Sequence, residues 1–257
     1  MLSYSWAMGQ VLSGSRLSAR SLITLLLTLA LFSSSFFSIP GLMTRASAIE
    51  VESDTSIDVN GTNQYGYTAD SIPLRTFNAI TIEAWVMPQA TCTGNIIAKS
   101  ADYALYCNAG NLYYAFGGGS TWVGEATTIS LPTNEWHHIA LTRAASTDVA
   151  KLYIDGQLLY TGTADSAASG SIRSTTNTFL NVGARAQAGT FFNGLVDEVR
   201  IFNSVRTEAQ IASDMHTWGN LGLSQVVAYY DFNSVSGSTV QNLSLIHISE
   251  PTRLLSI

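Results

Sequence analysis

Short runs rich in β-branched and aromatic residues recur along this chain, separated by clusters of Gly, Asn, Asp and Ser. Those clusters are built from turn-forming residues, and runs of this length between frequent turns are typical of antiparallel strands. Few stretches have the spacing of an amphipathic helix. The sequence therefore predicts an all-β fold, an antiparallel β-sandwich. The runs are AITIEAWVMP, NIIAKS, YALYC, NLYYAF, EWHHIALTR, KLYIDGQLLYTG, FLNVGA and GLVDEVRIFN.

The dipeptide Asp155-Gly156 lies between the runs KLYI and QLLY and marks a tight hairpin. A two-residue Asp-Gly loop readily takes the positive φ angles of a type I′ turn, which joins neighbouring antiparallel strands. This turn predicts that Ile154 lies opposite Gln157. It also predicts Leu152 opposite Leu159, with both leucines on one face of the sheet.

One short helix is expected towards the C-terminal end of the predicted sandwich, in the stretch TEAQIASDM. Thr207 begins this stretch and Gln210 follows three residues later, which is the spacing of a capping box. Ile211 and Met215, four residues apart, lie on one side of such a helix and are expected to form its buried stripe.

Two adjacent histidines, His137 and His138, raise the question of a metal site or a proton relay. They fall in the predicted strand EWHHIALTR, and successive side chains of a strand point to opposite faces. The two imidazoles should therefore diverge, and they cannot bind one ion together. The pattern favours a structural role, with one histidine against the core and the other against solvent or a loop.

Residues 1–48 have the features of a secretory signal peptide and are expected to be removed. Arg16 and Arg20 precede an apolar run from residue 21 to residue 39, and the small-x-small triplet Ala46-Ser47-Ala48 follows it. The run is just long enough to span a membrane, but its many Ser and Thr residues and the triplet favour cleavage. The protein is therefore expected to be secreted or to act at the cell surface, without membrane insertion after cleavage.

Residues 243–257 are excluded from the predicted fold. The stretch LSLIHISEPTR within them reads residue for residue as the translation of a widely used transposon-type sequencing-library adapter. A genuine amphiphilic tail is the alternative. The adapter interpretation predicts that the native gene continues beyond this point.

The charge balance argues against some partners. The chain has 12 Lys and Arg residues against 18 Asp and Glu residues, a formal net charge of −6. Nucleic acids and anionic membrane surfaces are bound by basic patches. Neither is therefore an expected partner.

The two cysteines, Cys92 and Cys107, flank the runs NIIAKS and YALY. These runs can pair as antiparallel strands and bring the cysteines opposite each other. Disulfides persist in exported proteins, so the sequence predicts a Cys92–Cys107 disulfide. Two buried free thiols are the alternative.

Five motifs, in order, resemble the laminin-G-like, concanavalin-A-like jelly-roll modules of secreted, bacterial-type proteins. The resemblance covers roughly residues 57–216 and implies a jelly-roll domain, which we place at residues 49–222. Such folds host many ligands, so the resemblance is more specific for fold than for function. The motifs are ITIEAWV, EWHHIALT, KLYIDGQLLYTG, LNVGA and FNGLVDEVRIFNSVRTEAQI.

A further stretch, VVAYYDFNSVSGSTVQNLS, resembles the segment that opens many of these modules. It implies that residues 223–242 begin a second module, which the adapter sequence truncates. A closing strand of the first module is the alternative.

The resemblance also implies a weak structural calcium site. In the family, an oxygen-rich turn early in the module often works with an aspartate near the DEV strand. Here the turn is VNGTNQY, which makes Asn60 and Asn63 candidate ligands, and Asp197 is the acid that fits. Amide oxygens can bind calcium, but fewer carboxylates lower the affinity. The alternative for Asp197 is a hydrogen-bonded strand residue or a partner of Arg200.

Sugar recognition would use exposed aromatic rings beside polar groups. Trp122, which follows the glycine loop 117–119, is the first candidate because loops on a rigid scaffold often carry binding residues. Tyr65 and Tyr67 are further candidates, whereas Trp85 lies inside a strand motif and is expected in the core. The expected partner is a carbohydrate or an extracellular glycoprotein.

Glycoside hydrolases share this architecture and need two carboxylates that face one cleft. Asp197 and Glu198 are adjacent, so on a regular strand they diverge, and no nucleophile-elbow, zinc-protease or P-loop motif occurs. The sequence therefore predicts a non-catalytic binding or adhesion module of a larger protein. A structural spacer module is the alternative, and a divergent glycoside hydrolase is a third.

Overall fold

The computed structural model describes most of the chain after residue 54. The predicted signal peptide, residues 1–48, lies outside the described residues. Within the described part, we find no helix with the length and apolar character needed to cross a membrane. The described residues are 55–75, 78–118, 121–163, 170, 172, 175–219, 223–233, 235–236, 239–243 and 251–255.

The first of two sheets has seven strands: β1 (Ile57–Asn60), β3 (Ala79–Pro88), β8 (His137–Ala144), β9 (Val149–Ile154), β10 (Gln157–Thr163), β14 (Asn193–Phe202) and β15 (Val226–Tyr230). Their order is β1-β14-β3-β8-β9-β10, with antiparallel neighbours throughout, and β15 pairs with β14. The first half of β14 pairs with β1 and its second half with β15. Because β3 pairs along the other edge of β14, β1 and β15 lie end to end on the same edge of this long strand.

The second sheet has eleven strands: β2 (Tyr65–Thr68), β4 (Gly94–Lys99), β5 (Tyr103–Asn108), β6 (Asn111–Gly118), β7 (Thr121–Ser130), β11 (Leu180–Val182), β12 (Ala184–Arg185), β13 (Thr190–Phe191), β16 (Val235–Ser236), β17 (Thr239–Gln241) and β18 (Pro251–Leu255). Their order is β16-β17-β18-β2-β11-β4-β5-β6-β7, while β13 pairs with β12 and β4. Two 3₁₀ turns, Ile72–Leu74 and Ala186–Ala188, lie in the connections.

The inner faces of the two sheets share one hydrophobic core. Strand alternation decides which side chains enter it. In β5, for example, Tyr103, Leu105 and Cys107 belong to the core, so Ala104 and Tyr106 point to the outer face of the second sheet. The predicted antiparallel β-sandwich is confirmed.

The predicted hairpin forms at Asp155-Gly156, with φ angles of 50° and 77°. The predicted pairing of Leu152 with Leu159 is wrong, because a register shift places Tyr160 opposite Leu152. Such a β-bulge inserts one unpaired residue into a strand. Leu159 is therefore 51% exposed, and Tyr160 packs against the core instead.

Helix α1 (Glu208–Asp214) begins with the predicted capping box. The Thr207 hydroxyl accepts a hydrogen bond from the Gln210 N–H, and the Gln210 side chain accepts one from the Thr207 N–H. Ile211 is buried against β8 and β9, so α1 covers part of the outer face of the first sheet. Met215, the other residue of the predicted stripe, is the C-cap and is only partly buried.

The two adjacent histidines diverge, as their place on a strand predicts. His137 Nδ1 lies 2.9 Å from Asp155 Oδ2 in the hairpin turn. His138 is buried on the outer face of the first sheet, and its ring meets the Trp85 ring edge to face with centroids 5.6 Å apart. Trp85 is itself 7% exposed, which confirms that it is not a surface residue.

A buried ionic network fixes α1 and the turn after it to the first sheet. Arg200 forms a salt bridge with Glu198 and donates hydrogen bonds to the backbone carbonyls of Asp214 and Thr217. Arg206 donates two hydrogen bonds to the Asp214 carboxylate, at 2.7 and 2.8 Å. Buried charges need such pairing, and a bidentate arginine pair is a geometrically specific form of it.

The predicted disulfide between Cys92 and Cys107 is present, with Cα atoms 5.4 Å apart. β4 and β5 pair as the sequence predicts, and Gly94 lies opposite Cys107. The bond therefore ties the segment that precedes β4 to the end of β5.

The C-terminal strands include two stretches for which the sequence left alternatives open. Strand β15 lies in residues 223–242, pairs with β14 and has all five residues buried, so here it closes the first module. The presence of a second module stays a prediction. Strand β18 lies in the stretch attributed to adapter sequence and pairs with β17 and β2. A strand ladder uses backbone groups, so this pairing does not identify the origin of the stretch.

Candidate functional site

The three predicted calcium ligands are not brought together. Asn60 ends β1 opposite Asn193, while Asp197 lies four residues further along β14. At about 3.3 Å per residue, the sheet separates Asn60 from Asp197 by roughly 13 Å. The predicted ligand set therefore does not form one site.

The Asn60 side chain instead closes its own turn. Its Oδ1 accepts hydrogen bonds from the backbone N–H groups of Thr62, Asn63 and Gln64, at 3.0 to 3.2 Å. Its Nδ2 donates to Asn63 Oδ1 at 2.9 Å. Asparagine favours turns because its side chain bonds to nearby backbone in this way. The turn VNGTNQY is thus held by amides.

Asp197 and Glu198 are both buried in β14 beside a β-bulge. Asp197 Oδ1 accepts a hydrogen bond from the Glu198 N–H at 2.8 Å. Glu198 has a φ of 52°, and its carboxylate contacts Arg200 and Tyr229. Glycoside hydrolysis needs two carboxylates across a substrate cleft. Here the Glu198 carboxylate belongs to the network under α1, and Asp197 Oδ1 binds the backbone at the bulge.

The described ranges contain no group of three or more His, Cys, Asp and Glu side chains that is placed to hold a metal ion.

Tyr65 and Tyr67, both predicted to contact sugar, lie on β2 at the outer face of the second sheet. Their ring centroids are 6.2 Å apart. The Tyr65 ring lies 6.1 Å from the Phe191 ring, and the Tyr67 ring meets the Phe179 ring edge to face at 5.2 Å. Phe179 is 42% exposed. The four rings form one surface cluster of amphipathic and apolar rings.

Trp122, the first candidate from the sequence, lies in strand β7 opposite Gly117. The predicted glycine loop is therefore shorter than expected, because β6 extends to residue 118. The Trp122 side chain lies outside the described part of the structure. Its contact with a ligand stays a prediction.

Tyr106 and Tyr113, which the sequence analysis missed, extend the aromatic surface across β5 and β6. They are cross-strand neighbours, both partly exposed, with ring centroids 5.3 Å apart and planes tilted by 34°. A cross-strand row of small residues lies beside them, formed by Ala104, Ala115 and Gly124. A Cβ atom at Gly124 would lie 2.9 Å from the Tyr106 hydroxyl, so the Tyr106 side chain extends across this row.

Asn181 lies in the same cross-strand row, between Tyr67 and Ala98. Its neighbours Leu180 and Val182 belong to the core, so its amide points to the outer face. It is 1% exposed, and within the described ranges its Nδ2 has no hydrogen-bond acceptor. An unsatisfied buried donor costs about 1–3 kcal/mol.

A second polar group lies between the aromatic rings. Asn95 is opposite Tyr106 and pairs with Phe191, and its Nδ2 donates to Thr190 Oγ1 at 2.7 Å. Thr190 in turn lies opposite Arg185. Burial and the adjacent phenol of Tyr113 raise the pKa of Tyr106, and the Arg185 charge partly opposes that rise.

Six rings and two amides thus share the outer face of the second sheet. We call this surface the aromatic face; it comprises Tyr65, Tyr67, Asn95, Tyr106, Tyr113, Phe179, Asn181 and Phe191. Binding sites for organic ligands typically combine apolar rings with a few placed polar groups. The alternation in YALYC and NLYYAF could have indicated Tyr106 and Tyr113, since their neighbours form the core.

A family model described as the concanavalin A-like lectin/glucanases superfamily (Laminin_G_3) matches residues 60–212, more than half of the chain. The chain belongs to this superfamily. The expected jelly-roll class is therefore confirmed. No sequence among curated proteins matches the chain.

Solved structures with similar folds include a candidate carbohydrate-binding protein from Bacteroides ovatus, with a TM-score of 0.56 and 17% identity over 77% of this chain. The match spans only 57% of that protein. A heptameric SAP-like pentraxin from Limulus polyphemus matches with a TM-score of 0.49 and 14% identity, over 74% of this chain and 95% of that one. Domain 4 of an extracellular GH43 arabinanase from Geobacillus stearothermophilus, solved with arabinotriose, has a TM-score of 0.46 and 20% identity, over 61% of this chain and 86% of that domain. At these identities the likeness concerns the fold alone.

Proposed function

We propose that this protein is a non-catalytic carbohydrate-binding module that takes a glycan on the aromatic face. The observation that carries the proposal is the buried Asn181 amide, whose Nδ2 has no acceptor among the described residues and lies in a row flanked by tyrosines. A sugar fits both the rings and the amide. Its ring C–H groups pack on aromatic faces, and its hydroxyl oxygens accept hydrogen bonds from amides.

The aromatic face also has the rigidity that such binding needs. Tyr67, Asn181 and Tyr106 lie on strands of one sheet rather than in loops. Sites built on strands keep their geometry, so little conformational entropy is lost when a ligand binds. Tyrosine rings add area at low entropic cost because they have two side-chain torsions.

The proposed module would act outside the cell. The Cys92–Cys107 disulfide suits an oxidising compartment, as does the predicted signal peptide. If the glycan belongs to a glycoprotein on another surface, the module acts in adhesion within a larger secreted or surface protein. A structural spacer is the second candidate, and it would leave the Asn181 donor unsatisfied.

Affinity electrophoresis tests the proposal. The protein is run through native gels that contain neutral or acidic polysaccharides, beside Tyr106→Ala, Tyr113→Ala and the control Leu159→Ala. Leu159 is exposed but lies on the first sheet, so it matches the loss of an exposed apolar side chain off the site. We expect at least one polysaccharide to retard the wild type and Leu159→Ala. Loss of a central aromatic ring should weaken binding by about tenfold or more. Failure of every polysaccharide to retard the wild type, or equal retardation of all variants, contradicts the proposal.

A further inference from the structure

Lys99, the last residue of β4, has a fully buried ammonium surrounded by oxygen atoms. Its Nζ lies 2.6 Å from Asp102 Oδ2, 2.9 Å from the Thr175 carbonyl oxygen and 2.9 Å from Thr178 Oγ1. These three acceptors match the three N–H donors of an ammonium. Asp70 Oδ1 lies 3.3 Å away as a fourth oxygen.

The oxygens come from three separate segments of the chain. Asp102 lies in the turn between β4 and β5, Thr175 and Thr178 precede β11, and Asp70 follows β2. The carboxylates also hold the backbone of the segment before β11. Asp102 Oδ1 accepts from the Thr175 N–H at 3.0 Å, and Asp70 Oδ2 accepts from the Asn177 N–H at 2.7 Å. Lys99 is therefore the common centre that joins the segments.

The oxygens around Lys99 are of the kinds that bind calcium in proteins. Calcium in proteins is bound by carboxylates, backbone carbonyls and other oxygens, six to eight in number. Apart from its ion-pair contact with Lys99, the buried Asp70 Oδ1 has no hydrogen-bond partner within the described part of the chain, and neither has the buried Thr175 Oγ1. The ammonium thus occupies an oxygen cage that could coordinate a divalent ion.

We propose that the Lys99 ammonium takes the place of a structural cation and fixes residues 175–179 at the edge of the aromatic face. Thr178 is followed by Phe179, whose ring contacts Tyr67 edge to face. Fixing Thr178 therefore positions an exposed ring of the aromatic face without a metal ion. The assignment of that face to glycans rests on the proposed function, but the role of Lys99 in ordering the segment does not.

Charge balance explains why a monovalent group suffices. Asp70 also pairs with Arg75 at 2.5 Å, so two carboxylates face two cations. Removal of the ammonium leaves the Asp102 carboxylate buried without its cation, which is strongly unfavourable. A small residue at position 99 also leaves space, and a calcium ion there restores both the charge and the oxygen coordination.

Amide hydrogen exchange, measured by NMR without any glycan, tests the inference. In the wild type we expect slow exchange at Thr175 and Asn177, equal in calcium and in chelator. In Lys99→Ala with chelator, exchange at both amides should become about tenfold faster or more. The free energy of local opening is lower in this variant, because opening no longer has to break the ammonium contacts. Calcium at about 1 mM, within the range of extracellular modules, should reverse this change.

The control is Lys151→Ala, which removes the chain's other lysine, on β9. It should leave exchange at Thr175 and Asn177 unchanged. If Lys99→Ala does not fold, Thr178→Val removes one acceptor without isolating a charge and should still speed exchange at Asn177. Unchanged exchange in both variants overturns the inference. So does a Lys99→Ala variant that calcium does not restore, because Lys99 would then act through its shape and not as a cation.

Discussion

His138 Nε2 lies 3.8 Å from Glu83 Oε2 on the outer face of the first sheet, and both side chains are buried. Burial raises the pKa of Glu83 to about 8, and the charge of Asp214 adds to the rise while Arg200 and Arg206 oppose it. Burial and the Arg200 charge lower the pKa of His138 to about 3. Near neutral pH the two groups are therefore held uncharged in the folded protein.

These two pKa shifts predict a maximum of stability in mildly acidic solution. Folded Glu83 keeps its proton between pH 4.5 and about 8 while the unfolded form loses it, so its contribution falls as pH rises through that window. His138 has the opposite effect. Its unfolded form gains a proton below pH 6.5 and its folded form gains one only near pH 3, so its contribution to stability falls as pH drops through that window. The contributions oppose each other from about pH 4.5 to 6.5, where we expect the highest stability.

The variant Glu83→Gln isolates the alkaline side of this profile. Glutamine resembles the protonated carboxyl group, so the variant should lose less stability than the wild type between pH 6.5 and 8. Urea unfolding at several pH values measures the difference. Asp155 raises the pKa of His137, which gives a decline of the same sign, so the comparison with Glu83→Gln is needed. Parallel pH profiles for the two proteins would show that Glu83 is ionised in the folded state.

The disulfide should contribute about 3 kcal/mol to the free energy of unfolding, because it closes a loop of 15 residues in the unfolded chain. The double variant Cys92→Ser with Cys107→Ser should be less stable by that amount in urea. A reducing agent should lower the stability of the wild type and leave the double variant unchanged. Two thiols that react with an alkylating reagent in folded, exported protein would contradict the pairing.

The capping box of α1 should contribute about 1 kcal/mol through Thr207. Thr207→Ala removes the acceptor for the Gln210 N–H, and the helix that it loosens covers the outer face of the first sheet. Chemical denaturation measures the loss. Thr133→Ala, at an exposed position between β7 and β8, is the control and should be neutral. Equal stability of the two variants would mean that the network around Arg200 alone holds the helix.

A methyl group at Gly124 should disturb ligand binding more than folding. The added Cβ would lie 2.9 Å from the Tyr106 hydroxyl, the movable end of a partly exposed side chain, and 3.3 Å from the Tyr114 carbonyl oxygen. Tyr106 must therefore shift within the aromatic face. We expect Gly124→Ala to melt near the wild-type temperature. In native gels that contain the polysaccharide, it should be retarded less than the wild type. Unchanged retardation would place the glycan elsewhere.

Local features were predictable from the sequence because neighbouring residues determine them. The Asp155-Gly156 turn and the Thr207 cap depend on residues within one turn of chain. The bulge that exposes Leu159 was not predictable, since it arises where Tyr160 packs into the core from an edge strand. His138 was expected to diverge from His137, but its burial depends on groups that are distant in the sequence, such as Trp85 and Arg200.

The site was less predictable than the fold because it depends on strand order. Asn60 and Asp197 were proposed as partners, yet the register of β1 against β14 separates them. Asn181 had no distinguishing pattern in the sequence. Only the pairing of β11 with β2 and β4 places its side chain beside Tyr67 on the aromatic face. Tyr106 lay in a recognisable strand, but only pairing of β5 with β6 brings Tyr113 beside it.

The most direct test of glycan binding on the aromatic face is an NMR titration of ¹⁵N-labelled protein with a polysaccharide fragment that retards it in gels. If the glycan binds there, the side-chain NH₂ signals of Asn181 should shift together with the backbone amide signals of β2, β5, β6 and β11, while the amide signals of α1 should not. Shifts confined to α1 and β10, with the Asn181 side-chain signals unmoved at saturation, would contradict it.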